Sequence, residues 1–125
     1  MFKVKDDMSI HVTRGDVGTI EVKANNEDGS EYTFQVGDIV RLGVFAKKNF
    51  NLIKLQKDVT VQAESTSINM SLTDEDTTIG SIINKPVDYW YEIQLNPDTN
   101  PQTIIGYDEN GAKIFRLYPE GVEAE

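Results

Sequence analysis

Apolar residues in this chain recur mainly at every second position, the period of half-buried strands. The longest and most aromatic such run is Val87–Leu95, VDYWYEIQL. Val87, Tyr89, Tyr91, Ile93 and Leu95 share one face; Asp88, Trp90, Glu92 and Gln94 share the other. The first face predicts burial. On the second, one indole stands among polar side chains. It either packs beneath a loop or a second sheet, or it is presented to a partner, a use in which Trp is enriched. Trp90, Glu92 and Gln94 are therefore the candidate interface residues.

The same alternation predicts strands over Met8–Thr13, Val17–Ala24, Glu31–Val36, Ile39–Lys47 and Ser67–Leu72. Leu52–Lys57 and Asp58–Ala63 read either as two short strands or as one bent strand. Arg14-Gly15-Asp16, the NNEDGS run Asn25–Ser30 and Gly37-Asp38 supply turns between them, and Asp28-Gly29 suits a tight hairpin. Thr103–Tyr107 and Lys113–Tyr118 read as a closing hairpin around DENG, Asp108–Gly111. Thr73–Gly80 breaks the alternation. Thr73 with Asp76 three residues on is a capping signal, so one or two helical turns are expected near residues 74–79. About nine or ten short strands, with no alternation of helix and strand, predict an all-β protein: an antiparallel β-sandwich, immunoglobulin-like or jelly-roll-like, with one short helix. Residues 1–118 form one domain on this reading, and 119–125 an acidic, flexible tail.

With 125 residues the chain is long enough for one core without disulfides, and it has no Cys. Twenty-one acidic against twelve basic residues give a net charge of −9. Such a field repels phosphate and argues against nucleic acid as a partner. No apolar run reaches the length of a signal peptide or a membrane span, so a cytoplasmic origin and no membrane partner are expected.

No residue pattern points to catalysis, a metal or a cofactor. His11 is the single His, too few for an ordinary zinc site, and its place between Ile10 and Val12 predicts the solvent face. Asp74-Glu75-Asp76 lacks the later bidentate Glu of a calcium loop and reads as helix capping. The Arg-Gly-Asp tripeptide reads as a turn rather than an adhesion signal.

Several stretches recur in a recognisable order: HVTRGDVGTIEV, DGSEYTFQVGDIVRLGV, SLTDEDTTIG, YWYEIQL and TIIGYDENGAKIFRLYPE. Together they resemble the small phage tail domain typified by the N-terminal region of the baseplate upper protein. Thr13–Asp16, Gly29–Tyr32, Gly37-Asp38, Leu72–Thr77 and Tyr89–Leu95 match that pattern, with Trp90 and Glu92 as variants. The resemblance implies a β-sandwich and a non-enzymatic role: a tail or baseplate adaptor of a phage or prophage, made in the host cytoplasm and carried in the virion. Its implied partners are other phage structural proteins and further copies of itself, with no cofactor. The competing reading is a carbohydrate-binding module using exposed aromatics, for which Trp90, Tyr107 and Tyr118 are the candidates.

Overall fold

A computed structural model describes residues 1–121. Among them nine strands and one helix follow in order: β1 (Phe2–Val4), β2 (Ile10–Thr13), β3 (Gly18–Val22), β4 (Ile39–Ala46), β5 (Asn49–Thr60), β6 (Ile68–Leu72), α1 (Asp74–Thr77), β7 (Val87–Leu95), β8 (Gln102–Ile105) and β9 (Lys113–Tyr118). Seven strands form one open sheet in the order β1-β2-β9-β7-β4-β5, with β8 also paired to β7; β3 and β6 form a separate ribbon.

The strand β7 occupies the run that the alternation marked, without a break. One side of it pairs along its length with β4, from Tyr89↔Ala46 to Leu95↔Val40. Its other side is shared: β9 covers Val87–Tyr91 and β8 covers Ile93–Leu95. The expected closing hairpin is thus corrected. The strands β8 and β9 lie one after the other along β7 instead of pairing with each other, and only the short bridge Asp108↔Gly111 forms at their turn.

The sheet is mixed rather than wholly antiparallel, because β2 runs parallel to β9. A parallel pair needs a long connection. Here that connection is nearly the whole chain, so no local sequence signal announces it.

Alternation places the core. Val40, Leu42 and Val44 of β4, Tyr91, Ile93 and Leu95 of β7, and Phe115 and Leu117 of β9 are buried on one face of the large sheet. Ile20, Val22, Ile68, Met70 and Leu72 of the ribbon join the same buried cluster. Both sheets therefore share one core.

One strand expectation changes. Glu31–Val36 makes only the bridges Asn25↔Glu31 and Phe34↔Ser65. Its polar groups curl around Asp38, which accepts from the Tyr32 hydroxyl at 2.7 Å and the Gln35 amide at 2.9 Å. This leaves Phe34 buried in the core. Of the two readings left open for Leu52–Ala63, the single strand forms, over Asn49–Thr60, with the register against β4 shifting at Val44/Phe45 and Phe45/Ala46. The pairing is regular across Lys57 and Asp58, and the irregularity falls nearer the start of the strand, opposite Phe45.

The expected helix forms. Thr73 and Asp76 make a reciprocal capping box, and Asp76 also pairs with Lys57 of β5. Arg14 is buried, not displayed: its guanidinium donates to the carbonyls of Ile79 (3.3 Å) and Gly80 (2.7 Å) and to Glu120 (2.9 Å). Glu120 is therefore held, although it belongs to the stretch expected as a flexible tail; residues 122–125 lie outside the described residues.

His11 requires a correction. Alternation put it in solvent, yet it is 6% exposed. Its Nδ1 lies 2.8 Å from the Tyr118 hydroxyl and its Nε2 3.0 Å from Ser9 Oγ. The face opposite the core is covered at this strand by neighbours that strand periodicity cannot see.

Candidate functional site

Trp90, Glu92 and Gln94 lie on the face of the large sheet turned away from the core, and all three are half-buried. Cross-strand pairing decides their surroundings. Trp90 stands opposite Phe45 of β4 and Ile114 of β9; Glu92 stands opposite Gly43, and Gln94 opposite Arg41.

Around Trp90 this outer face is aromatic. The Phe50 ring lies 5.1 Å from Trp90 and 5.2 Å from Phe45, and the Tyr107 ring lies 5.9 Å from Trp90 on its other side. All three separations fall in the range of favourable tilted or edge-to-face ring pairs. The result is a row, Phe45–Phe50–Trp90–Tyr107, crossing the sheet. Phe45 is 8% exposed beneath the row, whereas Phe50, Ile53 and Tyr107 are 38%, 52% and 65% exposed. Rings thus flank Trp90, while part of its own surface reaches solvent.

Ion pairs bracket the row. Arg116 of β9 holds Asp88 of β7 through two hydrogen bonds. At the other end Arg41 donates to both Asp58 of β5 and Asp98 of the loop after β7. The guanidinium of Arg41 is held well above its ordinary value by these two carboxylates, and Asp58 is lowered in return.

Between Arg41 and the rings is a groove of about 180 Å³, lined in part by Phe45, Ile53, Gln56 and Glu92. The Phe45 ring in its wall lies over Gly43, where a Cβ would meet it at 2.6 Å. Burial pushes the Glu92 carboxyl above the usual range, with no neighbouring charge to offset it.

Sequence reasoning found Trp90, Glu92 and Gln94 and placed them on one face. It missed Phe45, Phe50 and Ile53 as their neighbours. Phe50 reaches Trp90 only because β5 bulges where it returns along β4, a signal that no local pattern carries. Of the three aromatics considered for a sugar platform, Trp90 and Tyr107 meet, while Tyr118 is engaged with His11. Among the described residues no cluster of three His, Asp or Glu side chains could hold a metal ion, and no helix is long and apolar enough to cross a membrane. A wider groove of about 760 Å³ lies between Lys23–Glu27 and β8, and it contains none of the candidate residues. No family model, curated protein or solved structure matches the chain.

Proposed function

We propose that the protein is a non-enzymatic assembly module of a phage or prophage particle, a tail or baseplate adaptor that works through protein–protein contacts at the outer face of its large sheet. The observation that carries this reading is the ring row Phe45–Phe50–Trp90–Tyr107, with Ile53 beside it, on a face that the core does not use. Clustered exposed aromatics mark interaction surfaces more than they serve an isolated monomer. The ordered tail-domain motifs supply the phage context. Partners on this reading are other virion proteins and further copies of the chain arranged about the particle's symmetry axis. The architecture fits the same reading as a β-sandwich, since the ribbon and the large sheet bury one common cluster.

Mass spectrometry of particles from the source, with light scattering of the purified protein alone and mixed with co-purifying particle proteins, tests this. The protein should be found in particles, and Trp90→Ala should weaken its association at least tenfold while circular dichroism stays unchanged. Absence from particles together with a monomer that binds no particle protein would sink the proposal.

A second reading is favoured by one feature: Trp90 and Tyr107 form a ring pair beside Glu92, Gln94 and Arg41, hydrogen-bonding side chains of the kind that line sugar sites. Glycan-array binding that disappears in Trp90→Ala would support a carbohydrate-binding module. Signals at background for the wild type would remove that reading.

A further inference from the structure

We propose that the outer face receives an arginine or lysine side chain of the protein partner, its cationic head seated between the Glu92 carboxylate and the rings of Trp90 and Tyr107. This rests on the assembly reading and adds to it the chemistry of the contact.

Glu92 is the exception among the half-buried charged groups of this face. Arg41 is taken by Asp58 and Asp98, and Arg116 by Asp88. Among the described residues Glu92 makes no ion pair and no side-chain hydrogen bond, though it is half-buried. A carboxylate withdrawn from water without a partner is unfavourable. The raised Glu92 carboxyl fits that cost, since burial is its one cause and no cation of the chain is near enough to lower it. A basic group arriving from outside would remove the penalty.

The surroundings suit such a group. Opposite Glu92 the strand β4 carries Gly43, over which the Phe45 ring is laid, so that Phe45 and Glu92 line the groove together. Behind it is Gly106, where a Cβ would stand 3.8 Å from Glu92 Oε2, and Tyr107 follows directly. The Trp90 ring is two residues along the same face of β7. The carboxylate thus neighbours the residues that carry the Trp90–Tyr107 ring pair, and a carboxylate next to aromatic rings is the combination that attracts guanidinium and ammonium groups. Gln56 and Gln94 offer amide oxygens at the groove wall. Of the two charges that line the groove, Arg41 is already neutralised by Asp58 and Asp98, which leaves Glu92 as the uncompensated one. The net charge of −9 adds a long-range field of the same sign. Charge complementarity therefore favours a basic partner segment over an acidic one, and a charged contact over a neutral one.

Trp90 is the single Trp, so its emission reports the site directly. The probe is a synthetic octapeptide of alternating arginine and glycine, compared with the same peptide carrying citrulline, which keeps the shape and removes the charge. The arginine peptide should shift Trp90 emission saturably. The citrulline peptide should bind at least tenfold more weakly, and Glu92→Gln should weaken arginine-peptide binding by a similar factor. Glu64→Gln removes the same charge from an exposed position elsewhere and should change binding less than twofold. Equal binding of the two peptides, equal effects of the two Gln substitutions, or no emission change with the arginine peptide would each overturn the proposal. The outcomes separate from those of the assembly reading. If the peptide fails while particle association still depends on Trp90, the face is an interface without a cation pocket. If Trp90→Ala leaves that association intact, the face itself has been misassigned.

Discussion

Neighbouring residues of β7 meet opposite environments. Tyr91 is 2% exposed and its hydroxyl donates to the Met8 carbonyl; Trp90 is half-buried on the outer face. Tyr91→Ala should cost about 3–5 kcal/mol, the range of a fully buried aromatic truncated to Ala. Trp90→Ala should cost about 1–2 kcal/mol, from lost ring pairs and partial burial. Urea denaturation of both variants checks the order; a larger loss at Trp90 would mean that the outer face contributes more to folding than to contacts. His11 gives a pH prediction. Ser9 Oγ donates to Asp7 at 2.6 Å, so it accepts from His11 Nε2, and the neutral Nδ1 accepts from Tyr118. Burial, aided by Lys5 and Arg116, holds the imidazole below its ordinary value of 6.5. The unfolded chain then binds this proton more readily than the folded one. The stabilising contribution is complete above pH about 6.5, declines as the pH falls through that value, and levels off below the folded value. Denaturation midpoints between pH 8 and pH 5 should show this decline, and His11→Asn should flatten it.

Among the elements, β7 and α1 were readable because each carries its signal locally: nine residues of unbroken alternation in one and a reciprocal Thr73/Asp76 cap in the other. The candidate face was readable for the same reason, since Trp90, Glu92 and Gln94 alternate within a single strand. What was not readable depended on residues distant in sequence. The burial of His11 needs Tyr118, and the ring row needs Phe50 carried in by a bulged β5. The strand β1 was not expected from its short polar sequence, and a glycine holds it in place. Phe2 lies over Gly18 of β3 so closely that a Cβ there would fall 2.0 Å from the ring. Gly18→Ala should therefore expel Phe2 and loosen β1 while β4 and β7 keep their protection. Amide hydrogen exchange, residue by residue, measures this; unchanged protection of Lys3 and Val4 would show that Phe2 has another seat.

For the whole molecule, the strand β9 joins what would otherwise be two pieces. It lies between β2 and β7 and contributes Phe115 and Leu117, both fully buried, to the common core. Phe115→Ala should cost about 3–5 kcal/mol, and exchange protection should fall in β2 and β7 together. Loss confined to β2 would indicate that the N-terminal strands form a weakly attached flap.

The position of β9 also sets an order in time. A ribosome delivers β2 early, yet that strand has no partner on its inner side until residues 113–118 have been made. Until then the nascent chain carries an incomplete sheet with the edges of β2 and β7 open to other chains. Contacts spanning more than a hundred residues, such as His11 with Tyr118, are slow to form. Synthesis rate and chaperone access in the interval between the making of β2 and that of β9, rather than intrinsic stability, should govern how much of this protein reaches its folded form.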